Sequence, residues 1–225
     1  MDYLAYLLRK TLQDPVRMVG SGFRWLEEAR MDRRLGIWTQ RRVFVRPATS
    51  AGDGRPCQPV PYSVLAAIER HLRSQDFPLA RFLDVGCGAG RPLAYFSRLP
   101  FDSVVGIEID PAAAALARRN LRRLRPGWAR CGSLGILQED ALQADVDWVG
   151  AVVYLANPFG PRSMAAFAER LRTQLLARPG GRILLYYALP LQEEGLRSVF
   201  PGARQETLEG LEPCRVYHLD AAGAA

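Results

Sequence analysis

The chain has 225 residues, of which 48% are hydrophobic and 24% are charged, a balance typical of one folded domain that carries an extension. This composition excludes collagen-like, fibrous and mostly disordered proteins, and no apolar run approaches the roughly 20 residues of a membrane-spanning helix. The formal net charge is +7, of which +5 falls in residues 1–50. A basic front is compatible with an anionic partner such as nucleic acid, but a solvated, arginine-rich surface is the favoured interpretation.

Residues 1–60 are predicted to form an N-terminal helical extension and linker. A first helix is marked by leucines at helical spacing, and a second is expected from Phe23 to Met31 (the leucines are Leu4, Leu7, Leu8 and Leu12). Residues 48–61 are rich in glycine, proline and small polar residues, which is typical of a loop. The main domain is predicted over 61–220, followed by a flexible tail at 221–225.

From Tyr62 onward, predicted helices and strands alternate, which indicates an α/β fold with a mostly parallel sheet and right-handed crossovers. Ligands of such sheets bind at the carboxyl ends of the strands. The predicted strands cover 81–85, 103–109, 135–138, 149–155 and 182–188, with two more near 206 and at 215–219. The predicted helices cover 62–72 and 91–99, follow Pro111 and Pro161, and include a short one near Glu194.

The cysteines and histidines do not have the spacing of a metal site. No two of the four cysteines form a C-x-x-C pair, and the chain has only two histidines (Cys57, Cys87, Cys131 and Cys214; His71 and His218). We therefore expect no metal, and reduced thiols typical of the cytoplasm. A secretory signal is not expected, because the start lacks a basic stretch followed by a long apolar run.

A glycine-rich turn follows the first predicted strand, in the run Asp84-Val85-Gly86-Cys87-Gly88-Ala89-Gly90. The dinucleotide pattern G-x-G-x-x-G fails because Arg91 stands where the third glycine is required, and no G-K-[ST] follows as in a P-loop. A carboxylate ahead of the turn suits a cationic ligand group better than a pyrophosphate, which it would repel.

This turn and the acidic residues after the next two strands resemble the motifs of class I S-adenosylmethionine-dependent methyltransferases, over roughly residues 60–190. The resemblance implies a Rossmann-like, seven-stranded sheet and S-adenosylmethionine as the cofactor. It implies that Asp84 contacts the methionine amino group, that Glu108 binds the ribose hydroxyls and that Asp140 meets the adenine amino group. The backbone N–H of Ala141 would contact the adenine ring, and the turn would line methionine and ribose (Gly86, Cys87, Gly88 and Gly90).

The fourth predicted strand ends in Asn157-Pro158-Phe159-Gly160. This run resembles the substrate motif of class I enzymes that methylate nitrogen, although it has one proline where they have two. It is also similar to non-SET histone-lysine methyltransferases, which have an Asn and a Phe-Gly-Pro here. The resemblance implies that Asn157, Pro158 and Phe159 are catalytic, that Asn157 also contacts the cofactor, and that the aromatic ring packs on the substrate. Because an Asn cannot act as a base, a nitrogen acceptor is favoured over a hydroxyl.

The N-terminal extension and linker, residues 1–60, are called the front segment below. This segment contains a D-R-x-x-G-x-x-T run from Asp32 to Thr39. It resembles a group of uncharacterised bacterial methyltransferases whose first motif also ends in Gly-Arg, as Gly90-Arg91 does here. We hypothesise that residues 31–62, including Thr39 and Tyr62, cap the cofactor and shape the acceptor pocket. The alternative is that Trp38 and Tyr62 are ordinary packing residues.

The sequence thus predicts methyl transfer from S-adenosylmethionine to an unidentified acceptor, a nitrogen of a protein side chain or of a small amine. One alternative is an RNA methyltransferase, motivated by the basic front and by arginines at helical spacing on one helix (Arg118, Arg122 and Arg125). A solvated helix face is the favoured interpretation of those arginines. The other alternative is a non-catalytic module that binds S-adenosylmethionine and serves a partner protein.

Overall fold

The structure, a computed structural model, describes residues 26–39, 52–53, 59–208 and 213–224. The predicted leucine-marked first helix and most of the predicted linker lie outside these ranges. Within them, no helix is both long and apolar enough to cross a membrane.

Seven strands form one sheet in the order β3-β2-β1-β4-β5-β7-β6. Strand β7 is antiparallel to both of its neighbours, and the other pairs are parallel. This confirms the predicted mostly parallel, seven-stranded α/β sheet. The strands are β1 (Arg81–Val85), β2 (Ser103–Ile107), β3 (Ser133–Leu137), β4 (Ala151–Leu155), β5 (Arg182–Ala188), β6 (Arg204–Leu208) and β7 (Cys214–Asp220).

Six α-helices lie in the described part of the chain. The first, α1, covers 26–35, so it continues four residues past the predicted end at Met31 and confirms an N-terminal helix. The remaining helices are α2 (Tyr62–Ser74), α3 (Arg91–Phe96), α4 (Pro111–Arg122), α5 (Pro161–Leu176) and α6 (Glu193–Arg197). Asp110 caps the start of α4, and its carboxylate accepts the N–H of Ala113 at 2.7 Å.

The core lies on both faces of the central strands. Every residue of β4 is buried, which suits a parallel strand covered by helices on either side. One cluster packs β1 against α2 and α3 around Phe82 and Tyr154, and it includes Leu35 from α1. The other packs β4 and β5 against α5 around Trp148 and Phe167. The front segment therefore contributes to the same core as the main domain.

Two predicted boundaries move for identifiable reasons. Strand β2 ends at Ile107 rather than 109, because the Glu108 carboxylate turns back to accept the N–H groups of Gly88 and Asp110. Residues Ala222–Ala224, predicted as part of a flexible tail, form a 3-10 turn. The carbonyl of Gly223 in this turn accepts the N–H of Gly202 at 3.2 Å.

The strand order reverses between β1 and β4. These neighbours run parallel, with Val85 opposite Leu155 at their carboxyl ends. The glycine turn after β1 and the Asn157 turn after β4 therefore leave the sheet side by side. In open α/β sheets this reversal is where a ligand binds.

Candidate active site

The glycine turn and the Asn157 turn are in direct contact. Gly86, Gly88 and Gly90 have φ values of 71°, 51° and 80°, in the region where a side chain is strained. A Cβ on Gly86 would lie 2.6 Å from the Cβ of Pro158. Glycine is therefore required at position 86, both for its backbone conformation and for the approach of the two turns.

Asp84 is a buried carboxylate with an unsatisfied oxygen. Its side chain is 1% exposed, and its Oδ2 accepts no hydrogen bond from the described residues. Burial raises the pKa of this carboxyl well above its ordinary range, and the neighbouring Glu108 carboxylate raises it further. A cationic ligand group at this oxygen would remove both penalties.

Glu108 stands where β2 ends, beside the end of β3. Its carboxylate accepts the N–H of Gly88 at 2.8 Å and the N–H of Asp110 at 2.9 Å. Its backbone N–H donates to the carbonyl of Leu137 at 3.0 Å. Burial raises the pKa of the Glu108 carboxyl, and the N–H groups act in the opposite direction. The Glu108 carboxylate is therefore fixed against the glycine turn.

Asp140 lies three residues beyond β3, and its carboxylate closes a tight turn by accepting the N–H of Leu142 at 2.9 Å. Ala141 is buried beside this turn. Cys87, by contrast, packs into the core. A Cβ on Gly106 would lie 2.6 Å from the Cys87 sulfur, so β2 occupies the space beside this side chain.

Asn157 adopts a left-handed conformation, with φ of 55°, that asparagine tolerates better than most residues. Its side-chain oxygen accepts the hydroxyl of Tyr187 at 3.1 Å, and the Tyr187 oxygen in turn accepts the N–H of Gln192 at 3.1 Å. The carboxamide is therefore oriented by Tyr187, the second-to-last residue of β5. Sequence reasoning missed Tyr187, because nothing in the local pattern of β5 distinguishes it from a core tyrosine.

Phe159 lies in the core and not at an open surface. Its ring is 3% exposed and packs against Phe167 of α5, with 5.3 Å between ring centroids. The sequence predicted that this ring packs on the substrate. In the structure, the ring of Phe159 has no exposed face on which a substrate could pack. Pro158 is half-buried and contacts the glycine turn.

Asp53 caps helix α5 from the front segment. Its carboxylate accepts the N–H groups of Arg162 at 2.8 Å and Ser163 at 3.2 Å, and it also bonds the Ser163 hydroxyl. Its backbone carbonyl accepts the N–H of Gly160 at 2.7 Å. These bonds fix the end of the Asn157 turn. Sequence reasoning missed Asp53, since its partners are about 110 residues away.

Thr39 and Tyr62 meet in a buried polar network centred on Asp32 and Arg91. The Asp32 carboxylate accepts the hydroxyl of Thr39 at 2.8 Å and that of Tyr62 at 2.7 Å. Arg91 donates its Nε to the Thr39 oxygen at 2.7 Å, and its guanidinium lies 4.7 Å from the centre of the Tyr62 ring.

The same guanidinium pairs with Glu28 and donates to the carbonyl of Val60 at 2.9 Å. Burial raises the pKa of the Glu28 carboxyl, while the Arg91 charge lowers it. The motif residues Asp32, Thr39 and Arg91, separated in sequence, thus form one cluster that ties the front segment to the end of the glycine turn. The sequence signalled these residues through the D-R-x-x-G-x-x-T run and Gly90-Arg91, without indicating that they touch.

The residues present fit S-adenosylmethionine. The unsatisfied oxygen of Asp84 suits an amino cation, and the fixed Glu108 carboxylate has lone pairs for two hydroxyls. Glycines at the turn leave the backbone open to close approach. Arg91, the buried cation at the end of the turn, pairs with Glu28 and Asp32 instead.

The comparisons with known proteins agree with this fit. Residues 82–181 match the family described as "Methyltransferase domain". The ribosomal protein L11 methyltransferase of Ralstonia nicotianae is 31% identical over 138 residues, which cover 60% of this chain and 40% of that protein. The enzyme of the same name from Cupriavidus metallidurans is 33% identical over 118 residues, 52% of this chain and 34% of that protein. The matched region thus spans well under half the length of these curated relatives.

Solved structures share the fold at low identity. The human methyltransferase 10 domain containing protein aligns with a TM-score of 0.54 and 16% identity, over 93% of this chain and 99% of that chain. A SAM-dependent methyltransferase of Leishmania major aligns with a TM-score of 0.53 and 14% identity, over 71% and 72%. With its glycine turn, its ordered acidic residues and its strand order, the region that includes residues 82–181 is a methyltransferase domain with the class I, S-adenosylmethionine-dependent arrangement.

Proposed function

We propose that this chain is an S-adenosylmethionine-dependent enzyme that methylates a nitrogen, on a protein side chain or a small amine. The observation that carries the proposal is the Asn157 carboxamide, which lies beside the glycine turn and is oriented by the Tyr187 hydroxyl. The polar contacts of this carboxamide in the described part of the chain come from a phenol. A carboxamide cannot act as a base, which favours an acceptor that arrives as a neutral amine.

S-adenosylmethionine supplies an electrophilic methyl group when it is bound. Asp84 would hold the amino end, Glu108 would hold the ribose, and Asp140 and Ala141 would hold the adenine. The second lone pair of the Asn157 oxygen would accept an N–H of the amine and so orient its nitrogen. The Tyr187 hydrogen bond and the Asp53 cap keep that oxygen in place.

A protein acceptor has additional support. The curated relatives are named as methyltransferases of a ribosomal protein. Their similarity covers the cofactor domain and leaves most of their length unmatched, so the acceptor of this chain is a proposal in its own right. A protein side chain remains the acceptor that fits both the Asn157 chemistry and these relatives.

The test is to incubate the purified chain with methyl-labelled S-adenosylmethionine and lysate from its own source, followed by protease or RNase. We expect label that protease releases and that base treatment leaves attached, as for N-methyl groups. Asn157→Ala should lower labelling at least about 10-fold while cofactor affinity stays within about twofold, because a hydrogen bond to the acceptor is lost. Gln143→Ala, an exposed amide, is the matched control.

Label that RNase releases would replace this proposal with RNA methylation. Absence of label in every fraction, together with normal cofactor binding, would favour a non-catalytic cofactor-binding module. Unchanged labelling by Asn157→Ala would show that this carboxamide does not position the acceptor.

A further inference from the structure

The fold brings an exposed tryptophan into contact with an arginine-rich helix. Trp38 is 56% exposed, although its backbone is fixed. The backbone N–H of Trp38 donates to the side-chain oxygen of Asn120 in α4 at 3.2 Å, and the Asn120 amide donates to the backbone carbonyl of Trp38 at 3.0 Å. The same amide donates to the carbonyl of Ala89 in the glycine turn at 2.8 Å. Asn120 therefore holds Trp38 beside the cofactor loop.

Exposed arginines lie on the two segments that meet next to Trp38. The end of α1 runs along the end of α4, where the N–H of Arg125 donates to the carbonyl of Leu35 at 3.1 Å and the Arg125 side chain donates to the carbonyl of Arg33 at 3.2 Å. A Cβ on Gly36 would lie 2.5 Å from the carbonyl oxygen of Arg123. The Trp38 surface is defined as the indole with five of the exposed arginines of these two segments, Arg33, Arg119, Arg122, Arg123 and Arg125.

This surface is basic without local compensation. No acidic residue occurs between Asp110 and Glu139, a stretch with six arginines. None of the ion pairs found in the described part of the chain involves an arginine of the Trp38 surface. Elsewhere, arginines such as Arg73, Arg81 and Arg178 are paired with carboxylates. The Trp38 surface therefore carries five exposed arginines that form no ion pair with the described residues.

We propose that the Trp38 surface is a docking site for single-stranded RNA. Unpaired bases stack on an exposed aromatic ring, and arginines around it contact the phosphates. An acidic polypeptide would satisfy the arginines but would not use the indole face. Cellular DNA is mainly duplex, and its stacked bases are not free to cover a tryptophan, whereas loops and single strands of RNA are. This docking does not depend on the proposed acceptor.

The experiment measures fluorescence anisotropy of a labelled mixed-sequence RNA of about 12 nucleotides, a length that covers one such site, titrated with the full chain. We expect Trp38→Ala to weaken binding by about 5- to 150-fold, the loss typical of one stacked base. Trp38→Phe should keep part of the affinity. Arg119→Gln with Arg122→Gln should lower the slope of log affinity against log salt by about 0.7 for each lost phosphate contact.

Two controls distinguish a specific loss of RNA docking from a general loss of charge or of the fold. Arg70→Gln with Arg197→Gln removes two exposed arginines outside the Trp38 surface and should leave affinity nearly unchanged. Cofactor titration of every variant reports whether the fold is intact, and it reports on the methyltransferase site independently of RNA. The proposal is overturned if Trp38→Ala binds RNA like the unaltered chain or if polyglutamate competes as well as RNA.

Discussion

Replacing Asp84 with asparagine should stabilise the protein without its cofactor and weaken cofactor binding. Asp84 is buried with an oxygen that accepts no hydrogen bond from the described residues, and burial raises the pKa of its carboxyl well above the ordinary range. The raised pKa means that the folded chain without ligand holds the proton more tightly than the unfolded chain. Ionisation of Asp84 therefore costs stability until a cation is bound.

The size of both effects follows because asparagine has nearly the shape of aspartate but carries no charge. An unsatisfied buried polar group costs about 1–3 kcal/mol, and more for a charged one, so Asp84→Asn should recover about 1 kcal/mol or more. For a chain of this length, each kcal/mol corresponds to about 2–4 °C in Tm. A hydrogen bond to a charged group contributes about 1.5–3 kcal/mol, so cofactor affinity should fall by about 10- to 150-fold.

The pH dependence has a definite sign. The stability that protonated Asp84 provides is fully present below the unfolded-state pKa, about 3.9, and is lost as pH rises through the higher folded-state pKa. The Tm advantage of Asp84→Asn without cofactor should therefore be small near pH 4 and should grow toward neutral pH. Asp102→Asn, at an exposed aspartate, should show no such trend.

The assay is thermal unfolding across this pH range together with calorimetric titration of S-adenosylhomocysteine. Cofactor-product binding by Asp84→Asn equal to that of the unaltered chain would refute the assignment of Asp84 to the amino group. A Tm at neutral pH equal to or below that of the unaltered chain would refute the claim that the buried carboxylate is a penalty in the ligand-free fold.

Three further changes test the contacts around the site. Arg91→Met leaves buried carboxylates unpaired, so it should lower the free energy of unfolding, measured by urea titration, by about 3–5 kcal/mol. It should also weaken cofactor binding. An unaltered urea midpoint would contradict the proposed network. Asp53→Ala should cost about 0.5–2 kcal/mol through the lost cap of α5, while Asp53→Asn keeps most of it; equal loss in both would argue against capping. Tyr187→Phe removes one hydrogen bond, so it should raise the acceptor KM or lower kcat by about 2- to 10-fold and leave cofactor affinity unchanged. A change confined to cofactor affinity would contradict the role of Tyr187 in orienting Asn157.

Most of the fold was predictable because the signals are local. Strands β1 and β5 have the predicted bounds, since glycine or proline turns flank runs of apolar residues. The end of β2 was predicted two residues late, because periodicity cannot report that Glu108 turns back to the Gly88 N–H. The start of β3 was predicted two residues late, where Ser133 and Leu134 pair with β2 in spite of a weak apolar pattern.

The placement of Asp84, Glu108 and Asp140 at or just beyond the carboxyl ends of β1, β2 and β3 was also predictable, and their roles toward the cofactor stay predictions. The contacts of the Asn157 turn and of the front segment were not predictable. Tyr187 reaches Asn157 across 30 residues of sequence, and Thr39 reaches Arg91 across 52. No periodicity or turn pattern relates residues so far apart, because their meeting depends on which strands are neighbours in the sheet.

The sequence by itself determined the order of helices and strands, the glycine turn and the acidic residues after the strands, because these depend on interactions among near neighbours in the chain. Only the tertiary structure decided that β1 lies beside β4, which puts Gly86 against Pro158, and that Asp53 caps α5. It also decided that Trp38 stands exposed among the arginines of α4. The physical reason is that strand order and helix packing are set by burial of the whole core, which no local segment encodes.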